Sequence, residues 1–415
     1  MSTQPRSPLL PLETALSQLL AALDNRPMRT EMLSTLEADG WVLAQDVVSM
    51  LEVPPHDNSS MDGYAVRCAD IAPGRTLPVS QRIPAGSQGA PLQTGTVARI
   101  FTGAPIPLGA DAVVMQEDCQ DVQGANPSVS AIQVQTQPQT GQWIRHRGED
   151  VMNGATVLQS GLRLGPAALG MAASVGLAQL QVACKPRVAL FSTGDELVMP
   201  GTVAPQDMPP GSIYNSNRFF LSALLRRMGC AVTDMGIVPD RLDATVQALR
   251  DAAQAHDLVL TSGGVSVGEE DHIKPAVQQL GRLDLWQIAI KPGKPFAHGQ
   301  VDAAHFIGLP GNPVSSFVTF LLLVRPFLLR MQGVQDVALP SQPLRADFDW
   351  PRADRRQEFL RVRRNAHVGL DLFPNQSSGV LTSVVWGDGF VDNPPGRTIA
   401  RGATVRFISL GDLLG

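Results

Sequence analysis

The stretch from Asp257 to Asp271, Asp-Leu-Val-Leu-Thr-Ser-Gly-Gly-Val-Ser-Val-Gly-Glu-Glu-Asp, constrains this chain more than any other. Leu258-Val259-Leu260 is a short apolar run of the kind a central strand needs when both faces of its sheet are covered. It stops at Thr261-Ser262-Gly263-Gly264, where missing side chains permit positive φ and let a ligand approach backbone N–H groups. Ligands of open α/β sheets sit beyond the carboxyl ends of the strands. Three carboxylates follow, at Glu269, Glu270 and Asp271. A phosphate cradle beside carboxylates is electrostatically unfavourable unless a divalent cation lies between them, so Mg²⁺ is the expected ion. The alternative is a plain glycine-rich turn with a solvated acidic start to the next helix, which the helix dipole favours.

A chain of 415 residues is expected to form more than one domain, because single cores rarely grow past ~300 residues. With 44% hydrophobic and 17% charged residues it has enough apolar side chain for a core. The net charge of −5 argues against a protein that coats nucleic acid, so any anion site must be local. Cys68, Cys119, Cys184 and Cys230 are far apart and form no C-x-x-C pair, which suits reduced thiols better than a disulfide frame or a zinc site. Met1 to Pro11 has no basic-then-apolar leader pattern. The most apolar run, Phe317 to Val324, is cut by Arg325-Pro326, short of the ~20 residues that a membrane span requires. The expectation is a cytoplasmic protein with neither a membrane nor a nucleic-acid partner.

Leu12, Ala15, Leu16, Leu19, Leu20 and Leu23 recur at helical spacing, so the chain opens with an amphipathic helix. From Ala65 to Trp143 short strands, glycines and prolines indicate a small β domain. Pro166 to Leu180 reads as an Ala- and Leu-rich helix, expected to pack with the first helix around the inserted β domain. Val188–Phe191 is a buried strand. A helix from about Arg218, capped by Asn217 or Ser216, is followed by a strand near Val232–Val238 and a helix over Leu242–Ala255. This alternation predicts a doubly wound parallel layer. Beyond Pro340 the period returns to two, as in a small β barrel or sandwich.

Several segments could carry chemistry. Ser192-Thr193-Gly194-Asp195-Glu196 ends one strand of the layer much as Thr261-Ser262-Gly263-Gly264 ends another. Lys291-Pro292-Gly293-Lys294-Pro295 holds two ammonium groups on a stiffened turn, suited to an oxyanion or polyphosphate. Gly308-Leu309-Pro310-Gly311-Asn312-Pro313-Val314-Ser315 leads into a helix from about Ser316 to Arg330, whose first N–H groups would form an anion site. Asp62, Thr102, Arg145 and Asp150 lie in or beside the β domain, and no spacing joins them to the α/β sheet. The chain has neither a G-x-x-x-x-G-K-[ST] loop nor a strand-linked G-x-G-x-x-G.

Taken in order, these motifs resemble the molybdopterin molybdenumtransferase family, relatives of the gephyrin E domain. The resemblance rests on Asp57-Asn58-Ser59 with Met61–Ala65, Thr102–Pro105, Arg145 with Gly148-Glu149-Asp150, Ser192–Leu197, Thr261–Asp271, the lysine turn and Gly308–Ser315. It implies four domains: an elongated, partly helical N-terminal domain (1–53 and 151–184), an inserted β domain (54–150), a central doubly wound α/β domain (185–334) and a C-terminal β barrel (335–415). It also implies a homodimer with an intersubunit active site, in which adenylylated molybdopterin and molybdate give molybdenum cofactor and AMP with Mg²⁺. Molybdopterin adenylyltransferase and apo-molybdoenzymes are implied partners.

The residues that the resemblance marks as functional are Asp62, Thr102, Glu196, Asp240, Asp271 and Lys291, with Glu196 and Asp271 serving the metal. Substrate contacts are expected from Ser262, Gly263, Gly264, Lys294, Pro310, Pro313, Arg145, Asp150, Arg361 and Ser383. The chain departs from the family pattern at Asn215, where Asp is common, at Gln287, where some relatives have Lys, and over Trp386–Gly389. Adenylyl transfer to molybdopterin and a gephyrin-like scaffold role are the alternative readings.

Overall fold

The computed structural model describes residues 9–24, 26–123, 130–265 and 272–414, so Glu269, Glu270 and Asp271 lie outside the described residues. At its centre is a six-stranded sheet of β1 (Arg187–Thr193), β2 (Ala231–Val238), β3 (Leu258–Ser262), β4 (Gly281–Gln287), β5 (Pro295–Val301) and β6 (Ala304–Leu309). Its order is β2-β1-β3-β6-β5-β4; the first four of these are mutually parallel, whereas the β6/β5 and β5/β4 pairs are antiparallel. The doubly wound parallel core is therefore present, with an antiparallel hairpin added at one edge.

Burial on both faces explains the unbroken apolar runs of β1 and β3. Val188, Leu190, Leu258 and Leu260 pack with helix α1 (Ser216–Arg227) and the helical run 313–331. Their neighbours Ala189, Phe191 and Val259 face the opposite side, against α2 (Leu242–Ala255) and α3 (Ile273–Leu280). The run 313–331 begins at Pro313, three residues before the expected Ser316, because proline suits the first helical position. Its mean hydropathy is 1.6, but 83% of it is buried, so its apolar surface is used by the core.

Two helix expectations are corrected. The first helix (Leu12–Ala21) does not pack with the second but puts Leu12, Ala15 and Leu19 into the core of the α/β domain. Leu10, just before it, forms a bridge with Ile288. The second helix is shorter than Pro166–Leu180: it spans Pro166–Ser174 and ends before Gly176, whose φ of 84° breaks the helical path. Gln179–Ala183 then pairs antiparallel with Thr30–Ser34, and this N-terminal domain has its own core around Leu43, Val151, Leu164 and Val182.

Val53 and Val151 pair with each other, so the intervening chain leaves and re-enters this domain at one point. That intervening chain carries a six-stranded sheet in the order 112–115, 63–66, 97–100, 76–83, 130–134, 119–123. In the C-terminal region Gln357–Arg364 pairs with both Gly369–Leu372 and Gly389–Asn393, which closes a five-stranded barrel with Gln342–Ala346 and Thr404–Ser409. The barrel is no loose appendage, because Phe359, Phe390 and Ile408 belong to the same core as Leu190 and Leu260.

At the amino edge of the sheet, Asp257 accepts ion pairs from Arg26 (3.0 Å), Arg29 (2.8 Å) and Arg187 (3.2 Å), tying the N-terminal segment to β1 and β3. On β5 and β6, His298 and His305 stack 6.2 Å apart, and burial pulls both imidazoles down to about 4. An unfolded histidine takes up its proton near 6.5, so the unfolded chain binds more protons between these limits. The stability these rings contribute is present above about pH 6.5, falls with pH, and is gone below about pH 4. Replacing His298 by Phe should make the acid decline of the urea midpoint measurably shallower; an identical decline would contradict this assignment.

Candidate active site

The parallel strands place their carboxyl ends along one edge, and the register fixes which residues meet there. Ser192 of β1 lies opposite Ser262 of β3, and Ser262 lies opposite Leu309 of β6. Beyond β3 the chain turns through Gly263 (φ 95°) and Gly264 (φ 65°), conformations that favour glycine. A methyl group on Gly263 would sit 2.9 Å from the Thr193 carbonyl oxygen, and one on Gly264 would sit 2.9 Å from Thr193 Oγ1. Both positions therefore require bare backbone. The Gly263 N–H donates to the Leu309 carbonyl at 3.1 Å, joining the ends of β3 and β6.

Asn217 completes this junction. Its Nδ2 donates to Ser262 Oγ at 2.8 Å and to the Gly311 carbonyl at 2.7 Å. The helix cap is not Asn217 or Ser216 but Asn215, whose side-chain oxygen accepts from the Arg218 N–H at 3.2 Å. Asn217 lies in the first turn, free to brace the sheet edge, a role that capping preferences alone did not reveal. Ser192 Oγ, Thr261 Oγ1 and Asn215 Nδ2 are buried here without a hydrogen-bond partner among the described residues. Such groups are rare in folded proteins, and at the carboxyl ends of these strands they leave hydrogen-bonding capacity that the described residues do not use.

Acid groups line the same edge. Asp195 and Glu196 follow β1 and are exposed, while Asp240 follows β2 and donates its backbone N–H to Asp195 Oδ1 at 3.1 Å. Asp271 lies outside the described residues. Among the described residues no group of three or more His, Cys, Asp and Glu is arranged to hold a metal ion.

The lysine turn reaches this edge because β5 runs antiparallel to β6. Ala297 lies opposite Gly308, so Pro295 and Lys294 stand beside the end of β6. The turn packs on the helical run: a methyl group on Gly293 would lie 3.3 Å from the Ser315 carbonyl oxygen and would overlap Thr319 Oγ1. Lys291 pairs in parallel register with Glu358 of the barrel, and its ammonium lies 3.0 Å from Glu358 Oε1 and 3.3 Å from Asp354 Oδ2. No ion pair holds the Lys294 ammonium among the described residues.

On the facing side of the helical run, the first N–H groups are not all open, contrary to the sequence expectation. The Val314 N–H donates to the Ser378 carbonyl of the barrel at 2.9 Å, and Pro313 has none to give. Pro310 is buried between β6 and this helix start. Next to Ser378, Arg361 is 1% exposed and donates to Ser383 Oγ (3.2 Å), the Phe359 carbonyl (3.1 Å) and the Ser377 carbonyl (3.3 Å). All three acceptors are neutral, and burial pulls the guanidinium down to about 10. It is a buried cation with no carboxylate partner among the described residues.

A second polar cluster lies on the inserted domain. Asp62 Oδ1 accepts from both the backbone N–H and the hydroxyl of Thr102, each at 2.8 Å, and these bonds hold its carboxyl below the usual range. Beside it, Arg82 and Arg99 stack 4.5 and 4.6 Å from the centre of the Phe101 ring. Arg145 and Asp150 are exposed nearby, where Arg145 pairs by backbone with Asn58. Among the described residues no hydrogen bond or ion pair joins this cluster to the sheet edge within one chain.

This arrangement defines a class: a doubly wound α/β domain with bare-backbone turns at its strand ends and a lysine turn beside them, accompanied by two β domains. Known proteins resolve the class. Residues 10–176 match the MoeA N-terminal region (domain I and II), 189–330 the probable molybdopterin binding domain, and 343–410 the MoeA C-terminal region (domain IV). The molybdopterin molybdenumtransferase of Haemophilus influenzae is 37% identical over 98% of this chain and 100% of its own length. That of Synechococcus elongatus is 36% identical over 97% and 100%. The crystal structure of the molybdopterin biosynthesis moeA protein from Pyrococcus horikoshii OT3 superposes with a TM-score of 0.82 at 28% identity, covering 97% of this chain and 100% of that one. The chain belongs to the molybdopterin molybdenumtransferase family and is a transferase of molybdenum cofactor biosynthesis.

The junction at Asn217 is testable by itself. Asn217→Ala leaves Ser262 Oγ and the Gly311 carbonyl without their shared donor, and a cost of about 1–3 kcal/mol is expected in urea unfolding. An unchanged midpoint would show that Asn217 does not brace the edge.

Proposed function

We propose that the chain combines adenylylated molybdopterin with molybdate, releasing AMP and yielding molybdenum cofactor. The observation that carries this reading is Arg361: a buried guanidinium with only neutral acceptors, beside the helix start against which the lysine turn also packs. A buried charge is costly unless an opposite charge joins it. A small oxyanion between Arg361, Ser383 and Lys294 would supply that charge, and molybdate is an oxyanion. The strand-end loops at Ser262–Gly264 and Asn312–Pro313 would hold the pterin phosphate and nucleotide.

Mg²⁺ fits the donor chemistry of the acidic loops. The ion takes one or two carboxylates and completes its octahedron with water and substrate phosphate, so a three-carboxylate cage is not required. Glu196, with Asp271, would hold it, and it would neutralise charge on the phosphoanhydride. The chain's own contribution is positioning: Lys294 and Arg361 set the oxyanion, and the glycine turn admits the phosphate to backbone N–H groups. No side chain is assigned as a general base, since transfer at a phosphoanhydride needs mainly orientation and charge stabilisation.

Asp62, Thr102, Arg145 and Asp150 would enter the site from a second copy of the chain. Two observations support a homodimer of this kind: the gap in bonding between the inserted domain and the sheet edge, and exposed apolar side chains on the N-terminal domain. Leu36 is 93% exposed and Met50 82%. Such groups are normally covered when they form a patch. Location in the cytoplasm, and exchange with molybdopterin adenylyltransferase and apo-molybdoenzymes, complete the reading.

Purified protein incubated with adenylylated molybdopterin, molybdate and Mg²⁺ should release AMP only when molybdate is present. AMP release that ignores molybdate, or ATP-dependent adenylylation of molybdopterin instead, would reject the proposal. Arg361→Met should lower kcat/KM for molybdate on the order of 100-fold, the scale of a lost hydrogen bond to a charged group of about 3 kcal/mol.

A further inference from the structure

Lysine is a flexible side chain whose fixed position needs an explanation, since holding it costs up to about 2 kcal/mol of rotamer entropy. The prolines of the turn stiffen the backbone at Lys291 but leave its four-carbon stem free. The far end is held by the barrel. Glu358, 1% exposed, offers Oε1 to Lys291 Nζ at 3.0 Å. Its Oε2 is occupied by Trp350 Nε1 at 2.8 Å and Asn393 Nδ2 at 3.2 Å, so the carboxylate cannot swing away. Asn393 is anchored in turn to the Arg397 carbonyl at 3.0 Å. On the other side Asp354, 3.3 Å from Lys291 Nζ, is gripped by Arg356 through Nε at 3.0 Å and Nη2 at 2.9 Å.

We propose that Glu358, assisted by Asp354, is the positioning residue for Lys291, fixing its ammonium so that its third N–H is presented to the bound oxyanion. The inference rests on the transferase reading above and extends it to a residue that no motif of the site contains. An ammonium has three donors; two are used by the carboxylates, and the side chain is still 38% exposed, so one face remains open. The charges of Lys291 and Arg356 are balanced locally by Glu358 and Asp354. Lys291 thus contributes a directed hydrogen bond more than net charge. The arrangement also makes the barrel indispensable to the sheet-edge site, because Glu358 and Lys291 meet only through the parallel pairing of 290–291 with 357–358.

Glu358→Gln cannot accept at both ends, so an amide N–H would face either Lys291 or the Trp350 and Asn393 donors. In steady-state assays well below the melting temperature, Glu358→Gln and Lys291→Met should each raise KM for molybdate by at least about tenfold, with the double variant no more than about twofold worse than either single one. Full additivity, or a wild-type KM in Glu358→Gln, would overturn the proposal. Asp354→Asn, at a more exposed position, should fold in any case and raise KM by about threefold; no change would leave Asp354 without the assisting role. A readout independent of activity is reductive methylation followed by mass spectrometry. Lys291 should react more slowly than Lys294 in the wild type and at least about fivefold faster in Glu358→Gln. Equal reactivity of Lys291 in both proteins would refute positioning even if the transferase reading stood. Absence of molybdate-dependent AMP release in the wild type would refute that reading while the methylation result still judged the positioning.

Discussion

A parallel sheet sends the amino ends of its strands to the edge away from its ligand, and Lys294-Pro295 leads into the amino end of β5. Only because β5 runs antiparallel to β6 does the lysine turn stand beside Ser262 and Leu309. The reversal depends on a tight turn at Asp302, whose φ of 49° is unusual for a residue other than glycine. Cations preceding one strand and bare backbone following another thereby share an edge. Without that reversal the same residues would lie on opposite sides of the domain, and no anion site could form between them.

The second constraint is the continuity of the core. Phe359 and Ile408 of the barrel, Leu12 and Leu19 of the first helix, and Leu190 and Leu260 of the central strands all lie in one apolar cluster. Truncating a buried aromatic ring of this kind costs about 3–5 kcal/mol, comparable to a large part of a domain's net stability. Barrel and α/β domain are therefore held in a fixed relation, which fixes Glu358 against the lysine turn and Arg361 beside the start of the helical run. The inserted domain differs: it joins its neighbour through a single pair of adjacent connections at Val53 and Val151, and among the described residues no hydrogen bond or ion pair ties its polar cluster to the chain's own sheet edge.

Much of this was legible from the residues. β1 and β3 follow from unbroken apolar runs, α2 from its helical period, and the glycine turn from the need for positive φ. The hairpin of β5 and β6 was not, because Gly299 and the buried His298 interrupt any simple alternation and the turn at Asp302-Ala303 lacks an Asn-Gly or Asp-Gly signal. The partner of the first helix was not legible either, since a helical stripe tells that a face is buried but not against what. Side-chain pairs across long separations are the least readable of all. Lys291 and Glu358 are 67 residues apart, and Asp62 and Thr102 are 40, and nothing local announces either pair. The family motifs named one or both members of such pairs; the structure supplies the contact.

The claim on which the account turns is that cations from a reversed strand and from the barrel make one anion site at the carboxyl edge of the sheet. Its most direct test is a crystal soaked with tungstate, a heavy tetrahedral oxyanion located by its anomalous signal. The account predicts a peak within hydrogen-bonding distance of Lys294 and Arg361. A peak found only at the opposite edge, among Arg26, Arg29 and Arg187, would contradict it.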